Sequence, residues 1–60
     1  MEKRTFRPND GRPDIQVSSL DEIRLYMGEV MNDFGPIEVV RGNLVVTYLD
    51  GFPVTLGTLI

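Results

Sequence analysis

The side chains that most often perform catalysis are scarce in this chain. It contains no histidine and no cysteine, so the commonest general base and the strongest nucleophile are both missing. The only serines, Ser18 and Ser19, precede a predicted helix, and capping of that helix explains them. Lys3 is the only lysine and lies near the chain start, without the burial that activates a lysine nucleophile. We therefore expect a non-enzyme that needs no cofactor and holds no metal.

Three carboxylates, Glu22, Glu29 and Asp33, form an acidic strip along one edge of the predicted helix, close to Tyr26. Such a strip is compatible with recognition of a basic partner or with a weak divalent-cation site, but a solvated helix face is the simpler explanation of the same pattern. No nearby loop supplies further oxygen ligands at the spacing of a calcium site. The strip is thus a candidate surface for a protein, not for a cation.

The remaining chemistry lies in a basic N-terminal segment. Within residues 1–12, four basic residues face two acidic ones, a balance of +2, whereas residues 13–60 have a balance of −5. Arginines that flank an aromatic ring are typical of nucleic-acid contacts, because guanidinium groups pair with phosphates and the ring stacks on a base. A solvated tail explains the segment as well, and the acidic remainder would repel a phosphate backbone. The nucleic-acid candidates are Lys3, Arg4, Phe6, Arg7 and Arg12.

The length of 60 residues limits the chain to one domain with a small core. Pro8, Gly11 and Pro13, together with the turn signal Asn9-Asp10-Gly11, predict a flexible basic arm over residues 1–14 and a single domain over residues 15–60. No apolar run approaches the roughly 20 residues of a membrane span, so we expect no membrane partner. A cytoplasmic location is the default expectation.

A helix is predicted over residues 20–33. Ser19 and Glu22 fit a capping box, and Gly35-Pro36 is a typical end signal. An apolar stripe recurs with helical spacing and contains Leu20, Ile23, Tyr26, Met27, Val30, Met31 and Phe34. On the opposite side, Leu25 should be exposed beside Gly28. That pair predicts an anchor next to a position where a partner could approach closely, although an exposed leucine is also ordinary.

Three strands of an antiparallel meander are predicted after the helix, with a short additional strand at residues 14–17. Gly42-Asn43 and Asp50-Gly51 are the predicted two-residue turns. Pro53 suits a strand start, and Gly57 a bulge that would change the facing of residues 58–60. The predicted fold is α+β: one amphipathic helix packed on a three-stranded antiparallel β-meander.

Both faces of this meander are apolar. Counting through the predicted turns puts Ile37, Val39, Leu44, Val46 and Tyr48 on one face, and Val40, Val45, Leu49, Phe52, Val54 and Leu56 on the other. One short helix covers only one face, so residues of the N-terminal segment or another molecule must cover the second. With no disulfide or metal to stabilise so small a domain, self-association is expected.

The leading hypothesis is a small non-catalytic protein-interaction module, an adaptor or a stoichiometric inhibitor, that acts as a homodimer. Its size and acidity are compatible with an accessory protein of a phage or mobile element. The candidate protein-interaction residues are Leu25, Gly28, Val40, Val45, Leu49, Val54 and Leu56. The alternative is a nucleic-acid-binding regulator that uses the basic arm, and a third class is a subunit of a larger assembly.

Overall fold

A computed structural model describes residues 2–60 of the chain, apart from the side chain of Val30. Five strands form one antiparallel sheet with the order β2-β1-β5-β4-β3, and one helical segment covers one of its faces. The elements are β1 (Arg4–Pro8), β2 (Ile15–Val17), α1 (Leu20–Met27), a 3-10 helix (Gly28–Asp33), β3 (Glu38–Val40), β4 (Leu44–Leu49) and β5 (Phe52–Leu59). The α+β class is confirmed, and the sheet has two more strands than the predicted meander.

The N-terminal segment supplies an interior strand of the sheet. Strand β1 pairs with β2 on one side and with β5 on the other, so that Phe6 lies opposite both Ile15 and Leu59. The expectation of a flexible arm over residues 1–14 therefore does not describe residues 4–8. Pairing prevails over the proline-rich composition because Phe6 is completely buried, and because Pro8 stands at the last position of the strand. The predicted strand at β2 and the turn before it are confirmed, with Gly11 at φ +87°.

Helix α1 begins at Leu20, as predicted, but the capping differs in detail. The Glu22 carboxylate accepts a hydrogen bond from the Ser18 backbone N–H at 2.6 Å, one residue before the expected donor. The Ser19 hydroxyl makes no capping bond, although its backbone is extended as an N-cap requires. The side-chain cap at the beginning of the helix is thus the Glu22 carboxylate, and Asp21 adds a second negative charge at the positive end of the helix dipole.

The prediction of a continuous helix over residues 20–33 is wrong beyond Met27. Gly28 has φ +73° and ψ −149°, a backbone conformation outside the helical region that residues with a side chain rarely adopt. Its N–H still donates to the Arg24 carbonyl and closes α1, and the chain continues as a 3-10 helix to Asp33. The apolar stripe survives this break because Ile23, Met27 and Met31 all remain buried.

The connection between β3 and β4 contains three residues, 41–43, instead of the predicted two-residue turn Gly42-Asn43, so the register of β3 differs by one residue from the prediction. Arg41 and Gly42 both have positive φ, 58° and 79°, and the Asn43 N–H donates to the Val40 carbonyl. Val40 then pairs with Leu44, and Val39 pairs with Val45. A shift of one residue exchanges the two faces of a strand. The predicted composition of the two faces is therefore wrong: Val39 and Val45 share the helix-covered face, and Val40 and Leu44 share the other.

Strand β5 carries the bulge that Gly57 suggested. Gly57 pairs with Val45 and Thr55 pairs with Val46, which leaves Leu56 as the extra residue. Leu56 is buried, and its carbonyl accepts a hydrogen bond from the Asn9 N–H. The bulge brings Leu56 and Leu59 into one cluster beneath the helix. That core contains Phe6, Val17, Ile23, Met27, Met31, Val45, Leu56 and Leu59.

The folded chain has the dimensions of a self-contained small protein. Its accessible surface is 3968 Å², against about 3,950 Å² for a monomer of 6.8 kDa. Its radius of gyration is 10.6 Å, against about 10.4 Å for a compact domain of this length. Recruitment of β1 and β2 into the sheet closes the core without help from a second molecule.

Candidate protein-binding surface

Five large apolar side chains are exposed in the described part of the molecule. The most exposed are Leu25 on α1, at 80 %, and Phe52 at the start of β5, at 72 %. Leu49 lies directly opposite Phe52 in the sheet and is about one-third exposed. Val40 and Ile60 lie apart from these on the sheet. Isolated exposed leucines are common, whereas an exposed aromatic ring with an apolar neighbour is typical of a contact surface.

The connection between β4 and β5 holds Phe52 in a defined position. We call residues 49–52 the hairpin tip. Asp50 and Gly51 have φ values of 52° and 84°, which is the type I′ geometry predicted for an Asp-Gly turn. Below the tip, Tyr48 pairs with Pro53, and the Gly35 N–H donates to the Tyr48 carbonyl at 2.8 Å. The ring of Phe52 is therefore presented by a two-residue turn with little conformational freedom.

The loop before β3 is held against the tip-proximal part of β4 by an arginine and a threonine that the sequence did not single out. The Arg24 guanidinium donates to the Gly35 carbonyl at 2.7 Å, and the buried Thr47 hydroxyl donates to the same oxygen at 3.0 Å. Arg24 also reaches the Met31 carbonyl. These bonds connect α1, the loop and β4, so the support of the hairpin tip extends into the helical layer.

Of the predicted protein-interaction residues, Val45 and Leu56 are buried under the helix, so they cannot contribute to an open surface. Leu49 and Val54 lie on the same helix-covered side of the sheet, towards the tip, by their pairing with Phe52 and Thr47. Val40 lies on the opposite face. The five sheet residues consequently do not form one surface, and Leu49 joins Phe52 instead.

Leu25 and Gly28 lie on the exterior of the helical layer, as their helical spacing predicted. Both are exposed, and nothing lies within 4 Å of the position that a Cβ of Gly28 would occupy. The positive φ of Gly28 nevertheless explains the glycine through its backbone, without a partner. The binding role of Leu25 stays a prediction.

The acidic strip is divided by the break in the helix. Glu22 lies on α1 and accepts the Ser18 N–H, whereas Glu29 and Asp33 are exposed in the 3-10 helix. Tyr26, expected beside the strip, donates its hydroxyl proton to the Pro13 carbonyl at 2.8 Å. Among residues 2–60, no group of three potential ligand side chains is close enough to hold a metal ion.

The candidate nucleic-acid residues are mostly engaged within the molecule. Arg4 donates to the Gly42 carbonyl at 2.9 Å, and Arg7 forms an ion pair with Asp14 at 3.1 Å. Lys3 is exposed. Phe6 is fully buried and therefore has no free face for a base.

Arg12 binds the loop between β1 and β2 to the end of α1. It forms an ion pair with Asp10 at 2.8 Å and donates to the Tyr26 carbonyl at 3.0 Å. Its guanidinium also lies 5.8 Å from the centre of the Tyr26 ring. A cation at the negative end of a helix is favourable, so this arginine has a structural role.

One titrating group has an altered environment. The Tyr48 hydroxyl donates to the Glu38 carboxylate at 3.2 Å, and this bond, together with the negative charge of Glu38, raises the pKa of Tyr48. Tyr48 is half-buried next to the hairpin tip, and Glu38 is exposed on the outer strand β3. The bond fixes the Tyr48 ring across the uncovered face of the sheet.

Comparison with protein-family models, curated proteins and solved structures gives no match for this chain. Within residues 2–60, no helix is both long and apolar enough to cross a membrane. The surface formed by the same residues has no cavity or cleft of a size that would enclose a small molecule. The surface itself is thus the available guide to function.

Proposed function

We propose that this protein is a small non-catalytic protein-binding module, an adaptor or a stoichiometric inhibitor, that recognises a protein partner through its hairpin tip. The observation that carries the proposal is the exposure of Phe52, 72 %, on a type I′ turn opposite Leu49. Burial of such a ring contributes about 1.5–3 kcal/mol, most of which the free protein does not gain. This free energy would be gained when a partner encloses the ring in an apolar pocket.

Rigidity of the tip supports the proposal. Binding costs conformational entropy for each side chain and loop that becomes ordered, and a stiff, preformed turn loses little further entropy when it binds. Here the turn has two residues, and its base is connected through Gly35 to Arg24 and Thr47. Phe52 is therefore suited to act as an anchor, with the contacts around it excluding water.

The chemistry of the chain supports a non-catalytic role. Histidine and cysteine are absent from the sequence, and Ser18 and Ser19 are exposed before α1. Binding alone would then be the activity, and occlusion of a surface on the partner the mechanism of an inhibitor. A cytoplasmic location stays a prediction.

The proposal is tested by affinity purification from the source cells with tagged wild-type protein and with Phe52→Ser, Leu25→Ser and Asn32→Ser. Asn32 is exposed in the 3-10 helix and serves as the matched control. We expect one protein to be recovered in stoichiometric amount with wild type and Asn32→Ser, and to be lost with Phe52→Ser. Loss with Leu25→Ser as well would extend the surface to α1.

The recovered protein is then titrated against the same variants by calorimetry. Truncation of an aromatic anchor should weaken binding by about 2 kcal/mol or more, which is roughly 30-fold. An affinity that neither Phe52→Ser nor Leu25→Ser changes would show that these surfaces do not bind the partner. Circular dichroism of each variant verifies that the fold is intact.

A further inference from the structure

The face of the sheet opposite the helix is covered by no element of residues 2–60. By strand alternation it presents a central row of threonines, Thr55 and Thr58 on β5, beside an apolar group on β3 and β4. That group consists of Val40, which is exposed, Leu44 and Tyr48, which are half-buried, and Val46, which is buried between them. Ile60 lies beyond Thr58, with its N–H bonded to the Thr5 carbonyl. This surface differs from the apolar part of the hairpin tip, because Leu49 and Phe52 project from the other side of the sheet; Asp50 borders both surfaces.

Opposite charges lie at the two ends of β4. Arg41 is exposed in the turn that precedes β4, and the guanidinium of Arg4 binds the Gly42 carbonyl of the same turn. Asp50 is exposed in the turn that follows β4. The two turns are separated by the length of the strand, about 17 Å. The carboxylates Asp21 and Glu22 follow β2, at the opposite edge of the sheet from Arg41. Glu38 lies on the same face of β3, level with Val46 near the middle of β4, where it accepts a hydrogen bond from the Tyr48 hydroxyl.

We propose that a second copy of this chain packs on the uncovered face, with its β4 antiparallel to the β4 beneath it. A two-fold axis in the plane of the interface and perpendicular to the strands brings Asp50 of each copy over Arg41 of the other. It also stacks the apolar group on its counterpart, so the contact is self-complementary and closed. The proposed axis brings one like-charged pair together, the two Glu38 carboxylates, beside the two opposite pairs of Arg41 and Asp50. A two-fold axis parallel to the strands would instead bring Asp50 over Asp50 and Arg41 over Arg41, so every contact between the turns would be repulsive.

The area of the face sets the strength of this dimer. Five strands at about 4.8 Å spacing and six residues at about 3.4 Å rise give at most roughly 500 Å² per copy. The total of roughly 1,000 Å² is at the low end for specific interfaces. The dimer should therefore dissociate on dilution, which agrees with a monomer that is already compact by itself.

Sedimentation equilibrium of the full chain from about 10 μM to about 1 mM tests the proposal, with weak association expected from the area. Thr55 is exposed near the axis, so Thr55→Arg places like charges across the interface and should abolish the dimer, whereas Asn32→Arg on the helical side should not. Arg41→Glu and Asp50→Lys should each lower the association constant about tenfold, since two symmetric pairs are reversed. The double variant, in which every pair is restored with exchanged signs, should regain it.

Glu38 provides a test of orientation. The proposed axis places Glu38 of each copy opposite its counterpart on β3, so Glu38→Gln should strengthen association. A wild-type chain that remains monomeric at the highest concentration would overturn the proposal, and so would a dimer that is indifferent to Thr55→Arg or is not rescued by the double charge exchange. Because the side chains of Leu49 and Phe52 lie outside this interface, neither result would affect the proposed binding role of those two side chains.

Discussion

The ring of Phe6 occupies the space that a side chain at position 57 would fill. A Cβ added to Gly57 would lie 2.7 Å from Phe6 Cε1 and 2.9 Å from Pro8 Cα, and closer still to the Arg7 carbonyl oxygen. Two of these three contacts are with the backbone of β1, which cannot turn aside. The glycine thus permits β1 to pair closely with β5 at the bulge, and the aromatic ring covers the gap that the missing side chain leaves.

Substitution of Gly57 should therefore weaken the junction of β1 and β5. We expect Gly57→Ala to lower the free energy of unfolding by about 1–3 kcal/mol, because the added methyl group forces strand displacement in a filled core. Urea unfolding followed by circular dichroism measures this. Gly35→Ala is the matched control, since its Cβ would make only an ordinary 3.6 Å contact with the Tyr48 carbonyl. Equal stabilities of the two variants would contradict the close approach.

Phe6 and Phe52 form a second matched pair, one fully buried and one 72 % exposed. Phe6→Ala should destabilise the protein by about 3–5 kcal/mol, which would unfold much of a domain this small. Phe52→Ala should change the stability by about 0.5 kcal/mol or less. Thermal unfolding of both variants makes the comparison. If the N-terminal segment were instead a flexible arm, Phe6→Ala would unfold at the same temperature as wild type.

Substitution of Gly28 distinguishes a continuous helix from a helix that is broken at this position, because the two conformations predict opposite changes in the free energy of unfolding. In a continuous exposed helix, Gly28→Ala would stabilise the protein by up to about 1 kcal/mol. At φ +73° and ψ −149° the same change introduces strain, and we expect a loss of about 1–3 kcal/mol. Chemical denaturation of Gly28→Ala decides the sign. A more stable variant would mean that α1 continues through position 28.

The bond between Tyr48 and Glu38 should be visible in a pH titration. The tyrosine pKa is raised above its ordinary value of 10.0, mainly because the neutral hydroxyl donates to the carboxylate. The associated stabilisation is fully present below the unfolded pKa and is lost as the pH rises through the higher pKa of the folded protein. Carbon NMR of the tyrosine rings between about pH 8 and pH 12 measures it. Glu38→Gln should return the pKa of Tyr48 towards its ordinary value, and an unchanged titration would exclude the bond in solution.

Several features of the fold follow from short stretches of sequence. Helix α1 begins where Ser19 and Glu22 predict, and the Asp50-Gly51 turn has the expected geometry. The strand at residues 15–17 and the bulge near Gly57 are also found. In each case the bonds that decide the conformation join residues within a few positions of one another, so local chemistry is sufficient. The exposure of Leu25 follows from helical periodicity in the same way.

The candidate site depended on less local information. The sequence predicts a two-residue turn at Gly42-Asn43, whereas the connection has three residues, 41–43, and the additional residue exchanged the two faces of β3. The sequence does not predict the break at Gly28, because the apolar stripe of the helix continues through that position. The sequence places Phe52 on an apolar face, and it differs from a core residue only in that no element within residues 2–60 covers the tip. The Asp-Gly turn immediately before it was the available signal.

The sequence by itself determined the class of the fold, the start of the helix, the β4–β5 turn and the scarcity of catalytic side chains, because each depends on composition or on near neighbours. Only the tertiary structure decided that β1 lies inside the sheet, that Phe6 is core and Phe52 is surface, and that most of the arginines bind within the molecule. Strand pairing between residues more than fifty positions apart, as between Phe6 and Leu59, depends on the net free energy of burying a shared core. No local pattern contains that quantity, since it is a property of all the paired segments together.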